Sequence, residues 1–254
     1  MRRVAVLMYG SAVYVMFLGV FLYAVGFIGG FLTPTALDGP LVGPLWQAIA
    51  VNLALAATFA LQHSVMARPG FKAIWTKFVP EPVERSTYVL ATNIVLLAVF
   101  FLWRPMGMTV WNVEHPVLRN VLWAGYGFGW LTVLVTTFLI NHFDLFGLRQ
   151  VWLYFRGKPY THLPFATPGP YRFIRHPLYI GWMTAFWCTP QMGAAHLLFA
   201  AGMTAYILIA IQFEERDLMT FHAGYAEYRR KTPMLIPGLH LGAAPAQREE
   251  ASHA

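Results

Sequence analysis

The feature that most limits what this chain can fold into is a succession of apolar runs, each too long and too poor in charge to be buried in a soluble core. Runs over residues 4–32, 45–66, 87–103 and 118–140 approach or exceed the ~20 residues that cross a ~30 Å hydrocarbon layer as a helix. With 57% hydrophobic and 11% charged residues, a chain of 254 residues has too little polar surface to hide such runs from water. The expected fold class is therefore all-α, a polytopic transmembrane helical bundle of five to six membrane segments, in one integral-membrane domain over residues 1–237. The first run follows Met1-Arg2-Arg3 and lacks a small-residue cleavage site, so it reads as an uncleaved span.

The last run needs a different solution. Between His176 and Glu214 lie 37 mostly apolar residues, which as one helix would extend roughly 55 Å at ~1.5 Å per residue, nearly twice the bilayer core. Thr189-Pro190-Gln191 interrupts them, and proline ends a helix. A short arm over 177–188 and a longer arm over 193–213 then form a helical hairpin, which returns Glu214 to the membrane face that holds His176. The short arm is the segment that need not cross fully.

Charge orients the bundle. Sixteen of the 18 Lys and Arg residues lie at the N-terminus, in the loops over 68–85 and 142–176, or beyond Glu214, leaving Arg104 and Arg119 opposite. The basic side is expected to be cytoplasmic, with both termini there. The net charge of +7 is scattered between spans instead of forming a stripe, so it is assigned to topology and membrane lipid, and nucleic acid is rejected as a partner. The single cysteine, Cys188, can form neither an intramolecular disulfide nor a CxxC site. The nine histidines show no HxxxH or HExxH spacing, so no metal site is assigned. Gly125, Gly127 and Gly129 follow no strand and are too close together for a GxGxxG loop; Gly125 with Gly129, like Gly26 with Gly30, reads as a helix-packing notch.

Residues 169–181 read Gly-Pro-Tyr-Arg-Phe-Ile-Arg-His-Pro-Leu-Tyr-Ile-Gly. The residue before a proline is biased away from helix, and proline favours the first helical position, so His176 is expected at a helix entrance with Pro177 inside it. Free backbone amides there, with Arg172 and Arg175, would suit an anion, and Gly181 would leave room for a ligand against the backbone. At the far end of the hairpin stand two adjacent carboxylates, Glu214 and Glu215. A stripe of Leu218, Phe221, Tyr225 and Tyr228 predicts a cytoplasmic amphipathic helix carrying Glu214 on the same face and Glu215 at its edge. His63, in Gln62-His63-Ser64, and His142 and Asp144, in a polar and aromatic cluster over 141–150, are further candidates, because polar groups at membrane depth need a partner or line a cavity. Each histidine reads equally well as a satisfied group of the bundle.

The pattern Gly-Pro-Tyr-Arg-x-x-Arg-His-Pro-x-Tyr-x-Gly over 169–181, Glu214-Glu215-x-x-Leu218, Tyr225-x-x-Tyr228 and Ile236-Pro237 resembles the isoprenylcysteine carboxyl methyltransferase-like membrane methyltransferases. The stretches over 62–69, 84–88 and 141–150 are similar to its nurim-related branch, and the resemblance covers nearly the whole chain up to Pro237. It implies S-adenosyl-L-methionine as cofactor, bound by Tyr171, Arg175, His176, Tyr179 and Gly181 on one wall and by Glu214 and Glu215 on the other. It also implies in-line methyl transfer to the thiolate of a small volatile thiol, methanethiol, giving dimethyl sulfide at a bacterial inner membrane. A thiolate forms more readily beside a base, and His142 and His63 are the catalytic candidates, with Asp144 orienting one of them. An isoprenylcysteine carboxylate or another lipophilic acceptor, and a non-enzymatic nurim-like membrane protein, are the alternatives. Residues 238–254 have no counterpart in the resemblance and are expected to be disordered.

Overall fold

A computed structural model describes residues 1–239; the expected disordered tail falls, from residue 240 onward, outside the described residues. In chain order the elements are α1 (Arg2–Gly29), α2 (Leu45–Ala67), α3 (Pro69–Trp75), α4 (Glu81–Leu102), β1 (Thr109–Asn112), α5 (Pro116–Ile140), α6 (His142–Leu145) and α7 (Leu148–Phe155). A 3₁₀ turn (Gly169–Arg172), α8 (Pro177–Trp187), β2 (Gln191–Gly193), α9 (Ala194–Phe221) and α10 (Tyr225–Lys231) follow. Five of these, α1, α2, α4, α5 and α9, are long and apolar enough to cross a membrane, which makes this an all-α polytopic membrane protein. The third span begins at Glu81, six residues before the expected start, because Pro82 sits in its first turn and Glu81 and Glu84 meet the positive end of the helix dipole there.

The hairpin forms as expected, with an unexpected closing piece. Helix α8 has 11 residues, roughly 17 Å at ~1.5 Å per residue, about half of a ~30 Å core. The chain then runs extended, and β2 pairs antiparallel with β1, in the link between α4 and α5. The ribbon satisfies backbone groups that no helix serves, the condition for irregular chain at membrane depth. Asp38 fastens its end, accepting from the Gly193 amide at 2.6 Å and the His196 amide at 3.1 Å, at the start of α9.

Helices α5 and α8 approach backbone to backbone. A Cβ at Gly129 would lie 2.6 Å from the Ala185 nitrogen, and one at Gly125 would lie 3.1 Å from Cys188 Sγ, so the predicted notch is real. Gly181 completes it: a Cβ there would meet the Val133 nitrogen at 2.9 Å. The room expected beside Gly181 for a ligand is filled by α5. Gly26 and Gly30 do not act as a notch, since a Cβ at Gly26 would strike the chain's own turn at Phe31 O and Thr33, while Gly30 ends α1 with φ 72°. The main core joins the helices through Phe27, Phe100, Trp103, Trp130, Phe186 and Ile211.

Candidate active site

At one end of the bundle the hairpin brings the two motifs together. Glu215, 2% exposed, accepts at Oε1 from Arg175 Nε at 2.6 Å and from His176 Nε2 at 3.0 Å, and its Oε2 pairs with the charge of Arg229, whose Nε lies 2.8 Å away. Arg175 also donates to the carbonyl oxygens of Arg229, at 2.9 Å, and of Thr232. His176 does cap α8, with Pro177 in the first turn. The two amides just before the first turn are engaged: Arg175 N donates to Pro233 O at 2.9 Å and His176 N to Met234 O at 3.2 Å. Arg175 is therefore a clasp that holds residues 229–234 against the start of α8, and Arg172 points outward, exposed.

Glu214 and Glu215 exchange the roles expected of them. Helix α9 stops at His222, whose φ of −129° and ψ of 105° are extended, so Tyr225 and Tyr228 belong to a separate turn and the predicted continuous stripe is broken. Glu215 lies in the core against Arg175 and His176, and Glu214, with its side chain 42% exposed, faces the open side. Tyr179 donates its hydroxyl to Glu214 Oε2 at 2.8 Å, and His176 Nδ1 lies 4.0 Å from the same oxygen. The buried hydroxyl of Tyr225 lies beside Glu215, and that of Tyr171 beside Thr136 and within reach of the Glu214 charge. Burial, and next the Glu214 charge, hold the Tyr171 hydroxyl above the usual phenol range, and burial pushes Tyr228 up to about 12, so both remain protonated.

His63 joins this region through tyrosines that the sequence reading did not single out. Its ring nitrogens lie 3.0 Å from the Tyr88 hydroxyl, and Nδ1 lies 3.4 Å from Thr92 Oγ1. The neighbouring Ser64 bonds Tyr206 at 3.0 Å. With Tyr179 bonded to Glu214, α2, α4, α8 and α9 each contribute polar side chains to one cluster at this end of the bundle. A tyrosine inside an apolar span carries a hydroxyl that needs a partner, and that is the signal that finds both residues.

His142 stands apart from that cluster. It is 2% exposed, stacked on Phe138 at 4.1 Å, with Nδ1 2.8 Å from Thr137 Oγ1 and Nε2 2.8 Å from the Tyr14 hydroxyl. Thr137 donates its own hydrogen to Leu134 O, so it accepts from Nδ1–H, and Nε2 accepts from Tyr14. Both nitrogens are occupied, and burial holds the ring's pKa below the ordinary histidine value. Asp144 binds Arg149 at 3.0 Å and Tyr160 at 3.3 Å, tying two loop segments together; among the described residues it bonds neither histidine, so its expected orienting role is absent.

No protein-family model matches the chain, and no solved structure matches it. Among known proteins it is similar to methanethiol S-methyltransferase of Mycobacterium tuberculosis, with 52% identity over 241 residues that cover 94% of this chain and 99% of that protein. It is also 52% identical over 238 residues to methanethiol S-methyltransferase of Crocosphaera subtropica, covering 93% of each. Human nurim is a more distant relative, 29% identical over 212 residues, covering 78% of this chain and 76% of nurim.

Proposed function

The chain belongs to the methanethiol S-methyltransferase family, and on that premise we propose that it methylates methanethiol to dimethyl sulfide with S-adenosylmethionine as donor. The observation that carries the reading is the likeness to relatives of that name over almost the entire chain. The cluster fits such a donor: one half-exposed carboxylate, Glu214, suits ribose hydroxyls, and the aromatic faces of Tyr171 and Tyr179 suit a sulfonium. Tyr171, His176, Tyr179 and Glu214 are the proposed contacts. Arg175 and Glu215 act behind them, by holding the clasp. The end of the bundle that carries the cluster is assigned to the cytoplasm of a bacterial inner membrane, in keeping with its basic loops.

When bound, the donor supplies an electrophilic methyl group on a positively charged sulfur. The protein's part is to deprotonate and align the thiol and to exclude water. His63 is the proposed base, accepting the thiol proton at the ring nitrogen that now faces Tyr88, whose hydroxyl can turn instead to His63 O at 3.4 Å. The thiolate sulfur then forms its bond to the methyl carbon as the carbon–sulfonium bond breaks. His142 is proposed as a structural residue, since its partners Tyr14 and Thr137 lie outside the group of Tyr88, Tyr206, Tyr179 and Glu214 that His63 adjoins.

Headspace gas chromatography on membranes of expressing cells, supplied with methanethiol and S-adenosylmethionine, tests the reaction. Dimethyl sulfide well above a His176→Ala control is the expected result. Dimethyl sulfide at the control level, together with labelling of a farnesylated cysteine analogue, would replace this reading with methylation of a prenylated acceptor.

A further inference from the structure

We propose that a small apolar cavity between α2, α4 and α9 is the holding site for the neutral thiol before its deprotonation. The inference rests on the thiol methylation proposed above. The cavity has a volume of about 30 Å³ and is lined by Ala56, Phe59, Leu96, Trp103, Phe199 and Met203 among others, all apolar or aromatic. A water-sized group needs about 10–15 Å³ of such space, so there is room for two heavy atoms and little more. Methanethiol has two.

The lining is suited to sulfur. Phe59, Trp103 and Phe199 present three rings, with Trp103 and Phe199 edge to face at 5.7 Å, and thioether or thiol sulfur packs favourably against aromatic edges. Trp103 is 7% exposed, and its indole N–H is buried with no acceptor among the described residues.

The cavity also adjoins the proposed base. Phe59 is a shared wall: it lines the cavity, stacks on His63 with ring centres 5.2 Å apart, and meets Tyr206 edge to face at 5.9 Å. A neutral molecule passing the edge of Phe59 leaves an apolar chamber and reaches the imidazole that would take its proton. The uncharged thiol is stable in the chamber, whereas the thiolate is not, because an unpaired charge is strongly disfavoured there. Deprotonation is thereby confined to the far side of Phe59.

Three variants test this, each checked for S-adenosylmethionine affinity by isothermal titration. Ala56→Leu, which fills the chamber, is expected to raise the KM for methanethiol at least tenfold with donor affinity within twofold of the wild type. Trp103→Phe, which removes the pyrrole half of the ring wall together with its N–H, is expected to raise that KM severalfold. Leu96→Ala, which enlarges the chamber, is expected to shift kcat/KM tenfold toward propanethiol. Wild-type KM values and thiol selectivity in all three, with donor binding intact, would overturn the holding site and leave thiol methylation standing. Absence of any thiol methylation by the wild-type protein would instead overturn both.

Discussion

Replacing Glu215 with glutamine separates the two adjacent carboxylates by consequence. The substitution keeps the shape but removes the one negative charge that faces Arg175, His176 and Arg229 at 2.6 to 3.0 Å. Arg175, itself 9% exposed, is left without a counter-charge. Breaking a buried pair by removing one partner costs about 3–5 kcal/mol, which is some two to three and a half decades in the equilibrium between a closed and an open clasp. Glu214→Gln is a different case, because that side chain is 42% exposed and its partner Tyr179 is neutral. Its expected effect is on donor binding, where one charge-assisted bond is worth about 1.5–3 kcal/mol, or roughly tenfold to over a hundredfold in affinity. Thermal unfolding in detergent and isothermal titration with S-adenosylmethionine distinguish the two. Glu215→Gln should lower the unfolding midpoint and the donor affinity together, and Glu214→Gln the affinity alone. A wild-type midpoint for Glu215→Gln, or an equal fall for both variants, would refute the division of labour.

Other outcomes follow from the same geometry. His63→Gln should reduce dimethyl sulfide formation by about 10²- to 10⁴-fold, the usual worth of a general base, while donor titration stays unchanged; a smaller loss would move the proton acceptor elsewhere. Gly129→Ala places a methyl 2.6 Å from the Ala185 nitrogen and should destabilise the α5–α8 contact by about 1–3 kcal/mol, read as early aggregation on heating in detergent. His142 has a folded-state pKa held below its unfolded value, so its contribution to stability is complete above pH ~6.5 and is lost as pH falls below it. Unfolding midpoints measured from about pH 7.5 down to 5.5 should therefore fall more steeply for the wild type than for His142→Gln.

Most of the bundle was legible because hydropathy over about twenty residues is decided by the bilayer and not by distant contacts. The break at Thr189-Pro190-Gln191 was legible for a related reason, since proline punctuates locally. What escaped depended on partners remote in sequence. Nothing local in Gln191-Met192-Gly193 announces a strand; its pairing partner is the link between α4 and α5. The Gly-Pro-Tyr-Arg-x-x-Arg-His-Pro motif and the two carboxylates were rightly brought together, yet which glutamate turned inward against Arg175 and His176 was not legible. Likewise nothing near His176 announces that residues 233–234 return to accept from the amides of Arg175 and His176. His63 and His142 were indistinguishable as letters, and only their hydroxyl neighbours separate them.

The clasp has an implication for how such a chain can change over generations. Arg175 and Glu215 are separated by 40 positions, yet neither can be exchanged alone without stranding a charge in the interior. Arg229 shares the same carboxylate, so the three positions form a single heritable unit. A lineage that loses one is expected to lose or recode the others, and drift in the outer loops carries no such constraint.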